Sequence, residues 1–216
     1  MKFFYLCFLM LVMTLDLSAQ AYTSNDNYTG DWSSDSSWQG GSSPGVTYNA
    51  DSEVLVLGEI SSAVDLFFSK GLLTVRDTLV IYGDLGFGNN GDLYVESTGV
   101  LIVLGDLNVG NKVDIAAGGT IIVTGLVNFT GSANQGSFVS TETPSQVYIG
   151  GYTGKAPVSD DGGTAVFNCD LPEDEEHDYS ECNYGLIDDI EGEDIEDYYK
   201  DIICGDSVSP KGIFLE

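Results

Sequence analysis

The chain has 216 residues, with 34 acidic side chains against 7 basic ones and a formal net charge of −27. Such a surplus repels nucleic-acid phosphates and anionic lipid headgroups, which excludes both as partners. Divalent cations remain as the natural counter-ions, and Ca2+ is the one that carboxylate oxygens suit best.

The first 21 residues read as a secretory signal peptide. Lys2 supplies a positive start, Phe3 to Met13 is almost unbroken apolar sequence, and Leu17 to Ala21 offers small residues for cleavage after Ala19 or Ala21. A bilayer span needs about 20 apolar residues, and this run is shorter and ends at Asp16. Cys7 lies inside the apolar stretch rather than at the cleavage site, which argues against a lipid anchor. No later stretch is long enough to span, so the expected product is an exported protein with no membrane span, secreted or on the cell surface, with the periplasm as the other compartment.

Residues 22–53 are rich in Ser, Gly, Asn and Asp and hold Trp32 and Trp38 six positions apart. Two tryptophans in so polar a stretch need an apolar surface, and the open end of a repeat structure would supply one. The segment is therefore expected to be an N-terminal cap. The functional alternative is a sugar-stacking platform built on the same two rings.

Residues 54–168 change texture to short β-branched runs divided by Gly, Asn and Asp. Four of these runs meet a glycine, at Gly58, Gly83, Gly105 and Gly125, and an acidic residue follows the first three, namely Glu59, Asp84 and Asp106. A period in the low twenties is the length of one coil of a β-solenoid. Within a coil the apolar segments fall in threes, such as Leu93–Val95, Val100–Leu104 and Leu107–Val109. An antiparallel sandwich also uses short strands at such spacing. In a solenoid, however, equivalent residues stack about 4.8 Å apart and should match in type. Leu79/Leu101/Ile121, Ile81/Val103/Val123 and Leu85/Leu107/Val127 match in this way. The expectation is an all-β protein: a short, single-stranded, right-handed parallel β-solenoid (β-helix) of about four coils with capped ends, its first rung at Val54 to Ile60.

Residues 169–216 form an acidic tail holding Cys169, Cys182 and Cys204. In an exported protein these are disulfide candidates, and three cysteines allow one internal bridge and one further thiol. Leu186, Ile187, Ile190, Ile195, Tyr198, Tyr199, Ile202 and Ile203 come close to a helical stripe, interrupted by Gly192. The tail is thus expected to be partly helical and docked, or disordered.

Two features could carry function. Stacking would bring Asp84 and Asp106 together, and with Glu59 they form a candidate Ca2+ site; the competing role is acceptance of backbone N–H bonds at each corner. If Leu79/Ile81, Leu101/Val103 and Ile121/Val123 face inward, alternation turns Val80, Ile102 and Ile122 outward as an apolar stripe, a candidate binding face for the tail, the tryptophan segment or a partner. Enzyme chemistry is expected to be absent. His177, the only histidine, lies in the tail, and Lys70, Arg76 and Lys112 do not cluster.

The stretch from Ala21 to Trp32, continued through Trp38 to Pro44 and Gly45 and followed by Gly-Asp-Leu coils, resembles the repeat-built β-solenoid surface proteins of gliding bacteria that use type IX secretion. The resemblance covers residues 1–131. It implies a non-catalytic, structural or adhesive protein, secreted or at the cell surface, with a surface protein or a glycan as partner. The class carries a β-rich sorting domain, from which this acidic tail departs. The alternatives by function are a carbohydrate-binding module using Trp32 and Trp38, and a polysaccharide-active β-helix enzyme.

Overall fold

The computed structural model describes residues 20–49, 51–111, 113, 115–130, 138–140, 145–154 and 164–168. It is an all-β protein whose parallel strands wind into a β-solenoid of about four turns. The strands are β1 (Gln20–Thr23), β2 (Thr29–Asp31), β3 (Thr47–Tyr48), β4 (Ser52–Val56), β5 (Glu59–Ser62), β6 (Leu66–Val75), β7 (Thr78–Ile81) and β8 (Leu85–Val95). They continue as β9 (Val100–Val103), β10 (Leu107–Val109), β11 (Ile115–Ala117), β12 (Thr120–Phe129), β13 (Phe138–Ser140), β14 (Ser145–Gly154) and β15 (Thr164–Asn168).

Three parallel stacks follow from the pairing. The first runs β1, β4, the second half of β6, the second half of β8, β11 and β13. The second runs β2, β5, β7, β9, the first half of β12, the first half of β14 and β15. The third runs β3, the first halves of β6 and β8, β10, and the second halves of β12 and β14. Each coil visits the stacks in this order, so like positions meet one coil later. Leu79 pairs with Leu101 and Leu101 with Ile121, the matches that the repeat predicts.

The interior is filled by those matched rows. Val54, Leu73, Leu93 and Ile115 come from the first stack, Ile60, Leu79, Leu101, Ile121 and Val147 from the second, and Leu66, Leu85, Leu107 and Val127 from the third, all buried in one cluster. β-branched and large aliphatic side chains suit such pleated positions, and fully burying each stabilises the fold by about 1.5–3 kcal/mol. An aromatic row adds to it. Tyr48 stacks on Phe68 with ring centroids 4.2 Å apart, and Phe68 on Phe87 at 5.5 Å.

The N-terminal part of the described chain also contributes strands. β1, β2 and β3 place one short strand in each stack and so make a degenerate coil. Trp32 and Trp38 sit at 1% and 2% exposure, edge to face with centroids 5.0 Å apart. Trp38 Nε1 donates to the Trp32 carbonyl at 2.8 Å and Trp32 Nε1 to the Gly45 carbonyl at 3.1 Å. Both indole N–H groups are therefore satisfied inside the plug, as burial of tryptophan requires.

The first rung needs a correction. Register pairs Ile60 with Leu79 and Ser62 with Ile81, so Gly58 is not level with Gly83. Val54–Val56 instead pair with Leu73–Val75 in the first stack. Gly58 lies one corner earlier in the coil than the three later glycines. The apolar-run-plus-glycine pattern therefore marks two different corners.

Candidate functional site: the aspartate ladder and the outer face of the second stack

At the corner between the second and third stacks the polypeptide repeats one arrangement. The backbone N–H of Asp84 donates to Asp65 Oδ1, that of Asp106 to Asp84 Oδ1, and that of Leu126 to Asp106 Oδ1, each at 2.8 Å. The steps are 19, 22 and 20 residues, one coil each. Each carboxylate therefore caps the corner of the following coil, and the ladder ends at Leu126, which carries no carboxylate onward.

The glycines follow from this geometry. A Cβ built on Gly105 would meet Asp84 Oδ1 and lie 2.7 Å from the Gly83 carbonyl oxygen; one built on Gly125 would lie 2.5 Å from Asp106 Oδ1. Glycine is required where the carboxylate of the preceding coil folds over the backbone. Val64 precedes Asp65 without any such carboxylate beneath it, and it is exposed.

Of the residues expected as a Ca2+ site, Asp84 and Asp106 are brought together but Glu59 is not. Glu59 begins β5, paired with Thr29, whose hydroxyl donates to Glu59 Oε2 at 3.3 Å. Asp65 takes the place in the row that Glu59 was expected to fill. Its signal was in the sequence: Asp65-Leu66-Phe67-Phe68 has the same form as Asp84-Leu85-Gly86-Phe87. Among the described residues no group of three or more His, Cys, Asp or Glu side chains is placed to hold a metal ion.

Trp32 and Trp38 are core residues, and neither ring is open to a sugar face. Val80, Ile102 and Ile122 lie where alternation places them. Their neighbours Leu79, Ile81, Leu101, Val103, Ile121 and Val123 belong to the interior, while these three form a separate cluster with Tyr148. That cluster is itself buried, with Val80 at 3%, Ile102 at 0%, Ile122 at 1% and Tyr148 at 0% exposure. Tyr82, Val100 and Leu104 flank it. Burial and the neighbouring Glu59 carboxylate together push the Tyr82 phenol upward. Tyr148 joins the row from β14, paired with Ile122.

Two shallow depressions lie among the described residues. A depression of about 320 Å³ is lined by Asp26, Leu57, Arg76, Asp77 and Thr98. Beside it Arg76 forms a two-pronged pair with Glu96, at 2.7 and 2.8 Å, which holds the Glu96 carboxyl below its usual range. A second depression of about 220 Å³ is lined by Asp51, Glu53, Leu72, Asn90 and Asp92 among others. No helix among the described residues is long and apolar enough to cross a membrane. Cys169, Cys182 and Cys204, and the expected signal peptide up to Ala19, lie outside the described residues.

Comparison of the chain with family models, curated proteins and solved structures gave no match.

Proposed function

We propose that this is a non-catalytic structural or adhesive protein, exported and held at the cell surface or released from it. The observation that carries the reading is that the polar groups most suggestive of chemistry, the stacked aspartates, are engaged in holding one coil to the next. A solenoid built this way offers long, repetitive sides on which a partner is met by many weak contacts rather than by one deep pocket. The depressions flanking it are shallow and acidic in part, which suits a surface protein or glycan contacted over an area. The resemblance to surface proteins of gliding bacteria supports the same reading. Buried Trp32 and Trp38 weigh against the carbohydrate-binding module in the form expected from sequence, because aromatic stacking on a sugar needs an open ring face.

The test is localisation and loss of function in the native cell. Antibody against the solenoid should label intact cells or the medium, and deletion should weaken attachment without altering growth on polysaccharides. Depolymerisation of a polysaccharide by the purified protein would overturn the proposal.

A further inference from the structure

The outer row of the second stack reads, coil by coil, Asp31, Ser61, Val80, Ile102, Ile122 and Tyr148. It begins polar and becomes apolar toward the C-terminal end. A side chain on the outside of a solenoid should be wet, yet the last four of these are at most 3% exposed. Among the described elements, the substantial packing of β7 and β9 is with stack neighbours and with the strand preceding each around the coil. The tryptophan segment is not the cover, since Trp32 and Trp38 fill the interior.

We propose that residues 186–203 of the C-terminal segment lie across this face and bury it. Three observations converge on that occupant. First, the described chain ends at β15, which pairs with β14 in the same stack and sets Phe167 level with Tyr148; the tail therefore leaves the solenoid at the edge of the apolar face. Second, Ile195, Tyr198, Tyr199, Ile202 and Ile203 recur at helical spacing. Eighteen residues of helix would extend about 27 Å, enough to cross five strands spaced about 4.8 Å apart. Third, the intervening 17 residues after Asn168 reach up to about 56 Å extended, so the return is sterically easy. Solenoid and tail are both acidic, so the contact is held by apolar burial against charge repulsion, and added salt should tighten it.

The test uses the mature full-length chain with Cys169, Cys182 and Cys204 replaced by serine and Ile102→Cys as a reporter. Maleimide should label it at least about tenfold more slowly than a Thr98→Cys control, because labelling requires local opening. Adding Ile195→Asp and Ile202→Asp should abolish that protection while circular dichroism stays β-rich, and 0.5 M NaCl should slow labelling of the unmodified tail (about 4 Å Debye length). Equal protection with and without the tail substitutions would overturn the proposal. So would rapid labelling in the mature chain with its tail intact, which would assign the cover to residues removed with the leader. If Ile102→Cys perturbs folding, the same tail substitutions in an otherwise native chain should raise binding of an apolar dye, and no rise would equally overturn it.

Discussion

At the residue scale, glycine and aspartate in the Gly-Asp corners answer to different coils. The aspartate serves the coil that follows, and the glycine yields to the carboxylate of the coil before. The row therefore starts with an aspartate lacking its glycine, at Val64-Asp65, and ends with a glycine lacking its aspartate, at Gly125-Leu126. Gly105→Ala should destabilise the protein by about 1–3 kcal/mol, as overpacking does. Combining it with Asp84→Ala should cost less than the two changes separately, since the added methyl then replaces the carboxylate. Chemical unfolding of the three variants checks this. A simple sum would show that the crowding comes from the Gly83 carbonyl alone.

Tyr48 gives a pH-dependent prediction at the same scale. Burial in the aromatic row pushes its phenol well above the ordinary range. Its folded pKa exceeds its unfolded one, so the folded state holds the proton more tightly. That contribution to stability is complete below about pH 10 and is lost as pH rises beyond it. Ultraviolet titration should show tyrosine ionisation that occurs only together with loss of β-sheet signal, and Tyr48→Phe should move alkaline unfolding to higher pH.

Among elements, the N-terminal coil is decisive because its three short paired strands bring Trp32 and Trp38 into the interior. Trp38→Ala should cost about 3–5 kcal/mol, the usual cost of emptying a large aromatic site, and should unfold β1–β3 before the central coils. Hydrogen exchange would report this as early loss of protection in the first coil. Uniform loss throughout the solenoid would mean that the cap and coils form one cooperative unit.

The central coils were readable from sequence because the same residue types recur in every row, and a parallel stack demands such repetition. Leu79, Leu101 and Ile121 needed no structure to be aligned. The first coil was not readable, because β2 and β3 are two or three residues long and Thr29, Gly30 and Asp31 have no β-forming pattern; their strand geometry comes from pairing with β5. Gly58 misled for a related reason. A glycine after an apolar run marks any corner, and only hydrogen-bond register tells one corner from another. The buried outer stripe was readable through alternation, while Asp65 was obscured by the absence of a glycine that its position never needed.

For the whole molecule, the net charge of −27 dominates solution behaviour. Self-repulsion of this size destabilises the compact state, so the melting temperature should rise with ionic strength. With the aspartates committed to backbone N–H groups, Ca2+ should raise it no more than Mg2+ does at equal ionic strength. Calorimetry in matched chloride salts checks this, and a Ca2+-specific rise saturating at low concentration would establish an ion site.

The aspartate corner also makes length a discrete variable. Because Asp84 reaches the N–H one coil onward and Gly105 clears space for it, the stretch from residue 84 to residue 105 contains everything its own junction requires. A second copy inserted after Gly105 would meet the same partners on both sides, lengthening the protein by one rung of about 4.8 Å. A shorter or shifted insertion would strand a carboxylate and crowd a backbone. Such a scaffold can gain or lose reach in whole steps without redesign of its ends.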